Sequence, residues 1–365
     1  MTQKKLIIFM PSIEGGGVEK NLFIISNFFA NKLNNVSLIT ASKKFKKKFN
    51  PKINLIFPKS NYWDNYGRRI KYFICLIILL KKIFIDKNIS VLCFQANIYC
   101  LILCKLLGIK IIIRSNSSPY GWTKNPIKNL IFKMVFPLAD GIVVNSNEFK
   151  KQLKKKFNVK SICIYNPLNY EEIIKNSKIS TKKYFKKSRS IKILNLGRFV
   201  DQKDQVTLLK ALKILDRYDF QAILVGRGIL KEKLQEFINT NQLRKKIKLV
   251  NFTENPYPLI KESDLFILSS TFEGLPNVLL EALALKKFVI SSDCPTGPKE
   301  ILLNGRGGLL FKTSDHKDLA KKIKFFINNK KICNKKLTLA RKKLKRFDYQ
   351  KNLNLYLKIV KKLIN

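Results

Sequence analysis

The sequence predicts an α/β protein made of two doubly wound, Rossmann-like domains. Short apolar runs alternate with helical patterns along the chain, which is typical of a parallel sheet covered by helices on both faces. The 365 residues exceed the length at which one hydrophobic core usually keeps growing, so two domains of similar size are expected. A glycine-containing turn also follows the first strand of each half, at Gly15–Gly17 and at Gly197.

Apolar runs bounded by turn residues are predicted to be the strands of the two sheets. In the first half they are Lys5–Met10, Val36–Ala41, Asn54–Phe57, Val91–Phe94, Lys110–Arg114, Gly141–Asn145 and Ser161–Tyr165. In the second half they are Ser190–Gly197, Phe220–Val225, Ile247–Val250, Leu265–Ser269 and Phe288–Ser291.

The predicted domain boundaries follow from changes in composition. Residues 1–170 form the amino-terminal domain, and the polar, Lys-rich segment 171–190 is predicted to be an interdomain linker. Residues 191–347 form the second domain. Residues 348–365 predict a helix that could pack back on the first domain, with one apolar face made by Leu353, Leu357, Val360 and Ile364.

The formal charge of +48 raises the question of a nucleic-acid partner. Only 11 of the 72 basic residues are Arg, and the 61 Lys are spread along the chain. Because Arg dominates base and phosphate recognition, nucleic-acid binding is disfavoured. The charge instead favours an anionic membrane surface, where each basic residue near the lipid contributes about 1 kcal/mol.

Three further features of the sequence indicate the cellular compartment of the protein. Leu6–Met10 has the length of a core strand, so no secretory signal is predicted. Tyr72–Leu80 is too short to span a bilayer, which needs about 20 residues, and it could be a core helix or an interfacial amphipathic helix. The seven cysteines contain no CxxC pair and are predicted to be buried thiols in a reducing, cytoplasmic compartment.

The stretch from Glu273 to Glu281 places two carboxylates eight residues apart where a strand meets a helix. Asn277–Leu285 is predicted to be helical after Pro276, and eight residues at about 100° each return to nearly the same helix face. Amides at a helix start attract a phosphate, while carboxylates accept hydrogen bonds from sugar hydroxyls. Alternatively, Glu273 could only stabilise the helix dipole and Glu281 could be an ordinary exposed residue.

Two further turns have features of a ligand site. The glycines Gly15–Gly17 let the backbone approach a ligand, but the turn is not GxGxxG and no acidic residue ends the second strand, so a dinucleotide is disfavoured. A merely flexible turn is the alternative. Arg198 and Lys203 follow a strand's carboxyl end, where two cations would neutralise a diphosphate, although either could be a solvated surface charge.

In order and spacing, these motifs and Gly226-Arg227-Gly228 resemble the GT-B glycosyltransferases of family 4. The resemblance covers nearly the whole chain and is strongest from Gly197 to Gly308. It implies two Rossmann-like domains facing each other across a cleft and a retaining, metal-independent transferase without a cofactor. Its co-substrate would be a nucleotide diphosphate sugar. Ser292–Glu300 resembles bacterial members that use UDP-N-acetylhexosamines or galactose.

The resemblance also implies residue roles. Arg198 and Lys203 would stabilise the leaving diphosphate, and Glu273 would hold hydroxyls of the transferred sugar as the third catalytic residue. Glu281 would bind the ribose, and Phe252 would meet the base. The donor site implied in this way consists of Gly16, Gly17, Gly197, Arg198, Lys203, Arg227, Phe252, Glu273, Gly274, Leu275, Pro276, Asn277, Val278 and Glu281.

The sequence departs from the family's pattern on the acceptor side. Many members carry a His in the first domain, whereas the single His here is His316, which is predicted to be a surface residue. Arg114 and Asn116 in the equivalent region could bind sugar or acceptor phosphate, or merely cap a strand. No DxD or His/carboxylate cluster indicates a metal site.

The expected activity is transfer of a hexose or N-acetylhexosamine from a UDP-sugar to a glycan acceptor, which is expected to be lipid-linked, at the inner face of the cytoplasmic membrane. This fits surface-polysaccharide or lipopolysaccharide synthesis. Two alternatives stay open: a GT-B relative with other chemistry (UDP-N-acetylglucosamine 2-epimerase or phosphorylase), and a non-catalytic basic protein that binds membrane or nucleic acid.

Overall fold

A computed structural model describes residues 4–116, 119, 125–180, 182–186 and 188–365. The chain forms two compact units. Unit 1 contains Met1–Pro167 and Tyr349–Asn365, and unit 2 contains Leu168–Asp348.

Unit 1 is built on a seven-stranded parallel sheet with the order β3-β2-β1-β4-β5-β6-β7. The strands are β1 Lys5–Phe9, β2 Val36–Ile39, β3 Asn54–Ile56, β4 Ile89–Cys93, β5 Lys110–Ser115, β6 Gly141–Val144 and β7 Ile162–Cys163. The helices are α1 Gly17–Ala30, α2 Arg68–Ile85, α3 Asn97–Leu106, α4 Pro126–Val135, α5 Asn147–Phe157 and α14 Tyr349–Ile364.

Alternation along the strands of unit 1 makes two cores, one on each face of the sheet. Leu6 and Ile8 of β1 pack in the core that contains α1 and α14. Ile7 and Phe9 point to the opposite face, in the core that contains α2, α3 and α5. A strand buried on both faces is continuously apolar, which is why these strands were recognisable in the sequence.

Unit 2 is built on a six-stranded parallel sheet with the order β10-β9-β8-β11-β12-β13. The strands are β8 Ile191–Leu196, β9 Phe220–Gly226, β10 Ile247–Asn251, β11 Leu265–Leu268, β12 Phe288–Ser292 and β13 Leu309–Phe311. The helices are α6 Tyr170–Asn176, α7 Gln205–Ile214, α8 Lys231–Thr240, α9 Tyr257–Glu262, α10 Asn277–Ala284, α11 Pro298–Ile301, α12 His316–Asn328 and α13 Lys330–Lys342.

The predicted α/β class with two doubly wound sheets is confirmed, and each of the twelve predicted strands is present with its ends shifted by a few residues. The predicted linker at 171–190 is wrong. It begins within α6, and both Ile173 and Phe185 are buried in unit 2. Two buried apolar side chains without a periodic pattern, together with hydrogen bonds such as Lys186 N to Gln221 Oε1 at 2.7 Å, hold this Lys-rich segment in unit 2. β13 was not predicted because it has only three residues.

Two segments with open interpretations are now placed. Helix α14 packs in unit 1, where Leu353, Val360 and Ile364 are buried and Leu357 is partly buried. Tyr72–Leu80 lies inside α2, whose Cys75 and Leu79 belong to the core. Within the described ranges, no helix combines the length and apolar character needed to span a bilayer.

The cysteine prediction is confirmed for burial. All seven are free thiols, six of them buried and Cys163 partly buried. Burial raises the pKa of Cys75 to about 12, as expected for a thiol packed among apolar side chains.

Candidate active site

The candidate site lies in unit 2, where the strand order reverses. β8 and β11 are neighbours in the sheet although β9 and β10 lie between them in sequence. A crevice opens outside the carboxyl ends of strands at such a switch point, and ligands of open α/β sheets bind there. Arg198 and Lys203 follow β8, and Glu273 follows β11. The fold therefore brings the predicted cations and carboxylate to one edge.

An ion pair joins the two loops. Lys203 Nζ binds Glu273 Oε1, and Ser270 Oγ donates to the same oxygen at 2.7 Å. The Lys203 side chain is only 18% exposed and that of Glu273 only 10%. Shielding from water strengthens such a pair and makes the loss of one partner costly. Glu273 is thus a structural partner of Lys203, a role beyond stabilising a helix dipole.

Hydrogen bonds to backbone carbonyls hold the same two loops against each other. Ser269 Oγ donates to Lys203 O at 2.8 Å, and Thr271 N donates to Gln202 O at 2.8 Å. Gln202 Nε2 donates to Phe272 O at 3.0 Å. The Lys203 and Glu273 side chains therefore project from loops whose spacing is set by three hydrogen bonds to backbone carbonyls.

The segment after β12 braces the Glu273 loop from behind. Thr296 Oγ1 donates to Glu273 O, and Ser292 Oγ donates to Ser270 O at 2.6 Å. Gly297 has φ +64° and lies so close to Gly274 O that a Cβ would clash with it. Only glycine accommodates both constraints. The local backbone geometry therefore requires Gly297 within the motif Ser292–Glu300, in addition to the resemblance of that motif to bacterial family members.

Helix α10 begins beside this loop. It starts at Asn277, and the N-cap residue Pro276 contributes no side-chain hydrogen bond to it. Glu281 is buried in α10, so the alternative of an ordinary exposed residue is wrong. Gly274, Leu275 and Pro276 are buried, whereas Asn277 and Val278 are half-buried.

The Gly-Arg-Gly turn after β9 packs against the turn after β8. A Cβ on Gly226 would clash with Gly197 O, and one on Gly228 would clash with Phe199 O. Phe199 N donates to Arg227 O at 2.9 Å. These glycines permit the close approach, which leaves Arg198 exposed at the edge.

Arg227 and Phe252 form a cation–π pair at the carboxyl ends of β9 and β10. The Arg227 Cζ lies 4.6 Å from the centroid of the Phe252 ring, and the ring is substantially exposed. An exposed aromatic face backed by a guanidinium suits stacking with a planar group.

The glycine turn of unit 1 is occupied by a carboxylate of its own chain. Gly16 N donates to Glu19 Oε2 at 3.0 Å, and Glu14 N donates to Glu19 Oε1 at 3.4 Å. Glu19 sits at the third position of α1 and is buried. Glu19 makes the half of a capping box in which the N3 carboxylate accepts from the N-cap N–H, while Gly16 has no side chain for the other half, so the usual sequence signal is absent. Whether Gly16 and Gly17 approach a diphosphate stays a prediction.

Arg114 is buried and makes its contacts within unit 1. It is 1% exposed, its Nε donates to Tyr356 Oη at 2.8 Å, and its Nη2 donates to Asn166 Oδ1 at 2.8 Å. The guanidinium also lies over the Phe94 ring at 5.2 Å. Arg114 therefore anchors α14 to the sheet of unit 1, and an acceptor role for it stays a prediction. Burial raises the pKa of Tyr356, which keeps its hydroxyl protonated.

Asn116 differs from Arg114. Its Nδ2 donates to Phe94 O at 3.0 Å, and its Oδ1 has no hydrogen-bond partner within the described residues. An acceptor role for Asn116 stays a prediction. His316 begins α12 and is half-buried. No cluster of three or more His, Cys, Asp or Glu among the described residues is arranged to hold a metal ion.

Cys294 also adjoins the site. Burial first, and then the nearby Glu273 carboxylate, raise the pKa of its thiol to about 12. The thiol of Cys294 is therefore predominantly protonated at physiological pH.

Family models match both halves of the chain. The model described as glycosyl transferases group 1 matches residues 176–343, and the model described as glycosyltransferase family 4 matches residues 15–172. Together they cover the described site and the glycine turn of unit 1.

Individual proteins agree with these models. An uncharacterised glycosyltransferase of Methanocaldococcus jannaschii is 38% identical over 47% of this chain, and the match spans only 44% of that protein. A Campylobacter jejuni enzyme, named as an α-1,4-N-acetyl-D-galactosaminyltransferase acting on an undecaprenol-linked glycan, is 26% identical over 99% of both chains.

Solved structures show the same fold. The HepE protein of Anabaena, crystallised with UDP and glucose, superposes with a TM-score of 0.77 at 16% identity, over 98% of this chain and 99% of that one. The matched models, the relatives and the two doubly wound sheets agree. The chain belongs to the group 1 glycosyltransferases of the GT-B fold and is a glycosyltransferase.

Proposed function

We propose that the protein transfers a hexose or N-acetylhexosamine from a UDP-sugar to a lipid-linked glycan, with retention of anomeric configuration and without a metal. The observation that carries the donor-site assignment is the shielded Lys203–Glu273 pair at the switch point of unit 2. The undecaprenol-linked glycan in the name of the Campylobacter jejuni relative, and a Staphylococcus aureus relative named for capsular polysaccharide biosynthesis, support the acceptor class.

The charge arrangement suits a sugar diphosphate. In this proposal Arg198 and Lys203 bind the diphosphate, and the amides at the start of α10 add the positive end of a helix dipole. Their effect is largest where negative charge grows on the leaving diphosphate as the bond to the anomeric carbon breaks. The acceptor hydroxyl forms the new bond and gives its proton to a donor phosphate oxygen.

Glu273 has a second oxygen for the sugar. Lys203 and Ser270 both bind its Oε1, so that, among the described residues, Oε2 is left to accept a hydrogen bond from a ligand hydroxyl. One carboxylate then holds the cation with one oxygen and the transferred sugar with the other. Glu281 is assigned to the ribose and the Phe252 face to the base.

Nucleotide binding tests the donor class. We expect UDP and UDP-sugars, in buffer with a chelator, to raise the unfolding temperature more than GDP or ADP at the same concentration, because they should bind more tightly. A ligand at about 100 times its Kd adds roughly 2.7 kcal/mol to the free energy of unfolding. Nuclear magnetic resonance of the product would give the anomeric configuration. A requirement for added metal would refute metal independence, and C2 inversion of UDP-N-acetylglucosamine without transfer would favour the epimerase alternative.

Membrane association is part of the proposal. The formal charge of +48 and the undecaprenol-linked substrate in the name of a relative support peripheral attachment to an anionic bilayer. The surface that would carry out this attachment is a separate question.

A further inference from the structure

Helix α4 exposes its apolar stripe. Ile127, Leu130, Ile131 and Met134 recur at steps of three, one and three residues and therefore share one side of the helix. Ile127 is 67% exposed and Met134 is 66% exposed. A surface helix normally turns such a stripe toward the core. In α4, the residues that pack against the core are instead Phe132 and Val135, which lie outside the stripe. The stripe of α4 therefore lacks a partner within the described part of unit 1.

The neighbouring helix α3 repeats the arrangement. Tyr99, Ile102 and Leu106 lie at steps of three and four and point outward, and Leu106 is 79% exposed. The opposite side of α3, with Cys100 and Cys104, is buried in the core.

Helix α2, which packs beside α3, shows the same division. Phe73, Ile77 and Phe84 are exposed, with Phe73 at 66%, while Cys75 and Leu79 are buried. The outward sides of α2, α3 and α4 are called the apolar face below. An exposed apolar surface shared by several adjacent helices marks an interaction site.

The charges on these helices have one sign. α2, α3 and α4 contain no Asp or Glu, and their sequences hold eight basic residues. Lys128 and Lys133 are exposed on α4 next to its stripe. Apolar side chains flanked by Lys are typical of helices that lie in the interface of an anionic bilayer.

We propose that the apolar face docks unit 1 on an anionic lipid bilayer, with α2, α3 and α4 lying in its interface. This inference rests on the proposed function only for its purpose, which is to hold the enzyme where a lipid-linked acceptor resides. The occupant follows from the combination of the apolar stripes with a positive charge that is only partly neutralised: of the eight basic residues, Arg68 pairs with Glu14 and Lys105 pairs with Asp140.

Vesicle cosedimentation of the full chain tests the proposal. Wild-type protein should bind phosphatidylglycerol/phosphatidylcholine vesicles and bind pure phosphatidylcholine vesicles less. The triple variant I127Q/L130Q/M134Q should lose affinity for anionic vesicles by at least about tenfold, which corresponds to about 1.4 kcal/mol. Gln keeps helix propensity, and the replaced side chains are exposed, so the fold is retained. A second variant, K128Q/K133Q, should lose the preference for anionic lipid.

A matched variant, I214Q/I229Q/I332Q, removes three exposed Ile from unit 2 and should bind vesicles like wild type. Unchanged binding by I127Q/L130Q/M134Q would overturn the proposal. It would also be overturned if wild type were a dimer that ignores vesicles and the triple variant a monomer, because a second copy would then cover the face. Stabilisation by UDP, measured on the same variants, reports on the proposed function separately, since it needs no membrane.

Discussion

The two sheets share the order of their first six strands, and the sheet of unit 1 has a seventh strand, β7. The loops at the switch points of the two sheets differ. In unit 2 the loops after the first and fourth strands of the sheet are joined by the Lys203–Glu273 ion pair. In unit 1 the equivalent loops, after β1 and β4, are joined by a neutral bond in which Ser12 N donates to Gln95 Oε1 at 2.9 Å. The switch-point geometry is therefore common to both units, but the side-chain bond across it is an ion pair in unit 2 and a neutral hydrogen bond in unit 1.

The outer surfaces differ in the opposite sense. Among the described residues, large exposed apolar side chains in unit 2 are scattered singly, at positions such as Ile214, Ile229 and Ile332. In unit 1 they gather on α2, α3 and α4. The distinguishing feature of unit 2 is thus an ion pair between two loops, and that of unit 1 is the exposed apolar side chains on three helices.

Breaking the charged edge should have the largest effect. We expect Glu273→Gln to lower kcat on the order of a hundredfold, because a preorganised group at the reacting sugar is lost. It should also lower the free energy of unfolding by about 1–3 kcal/mol, because Lys203 loses its shielded partner. Initial-rate assays and thermal unfolding measure the two effects. Asp216→Asn, at an exposed ion pair with Lys246, should change neither. Full activity of Glu273→Gln would refute the assigned site.

That expectation differs from one based on sequence alone. A carboxylate in a loop is expected to be free of packing duties, so Glu273→Gln would have been a purely functional change. The ionic partner, Lys203, becomes visible only in three dimensions, since it is 70 residues away along the chain.

Breaking the polar anchor of unit 1 should come next. Arg114→Met should lower the free energy of unfolding by about 2–4 kcal/mol, because Tyr356 Oη and Asn166 Oδ1 each lose a buried partner. Faster hydrogen exchange in α14 would report the loss locally. Arg69→Met, at an exposed position of α2, should stay within about 0.5 kcal/mol of wild type. A stable Arg114→Met variant with weakened acceptor binding would support the acceptor role.

Removing an exposed cation from the charged edge should weaken the donor without harming the fold. Arg198→Ala should raise the Kd for UDP by the equivalent of about 1.5–3 kcal/mol, the usual contribution of a hydrogen bond to a charged group. Isothermal titration calorimetry measures this difference. The control is Arg217→Ala, an exposed Arg of unit 2 away from the edge, and equal losses in both variants would mean that only net charge matters.

How far the sequence leads depends on the range of the interactions. Strands such as β8 and β11 are local apolar runs and were predictable, and so was the placement of Arg198 and Glu273 in the loops that follow these strands, because it depends only on residues nearby in the sequence. Arg114 also lies near the end of a strand, but its partner Tyr356 lies 242 residues away. No local pattern announces that contact. The docking of α6 depends likewise on distant apolar partners.

The smallest expected effect concerns Cys294. Its pKa of about 12 and its burial predict no reaction with iodoacetamide at pH 8 in the native protein and full reaction after denaturation. Mass spectrometry of native and unfolded samples checks this. Cys163, partly buried in unit 1, serves as the internal comparison. Rapid native modification of Cys294 would mean that the loop after β12 opens.

The path of the chain has a consequence for its synthesis. Residues 168–348 form unit 2 between the two segments of unit 1, and α14 then closes unit 1. Lys4 N donates to Ile364 O at 3.1 Å, and Ser90 Oγ donates to Leu363 O at 3.2 Å. Unit 1 therefore cannot be completed until α14 has been synthesised, which happens after all of unit 2. The earliest translated part of the fold is the last to be finished.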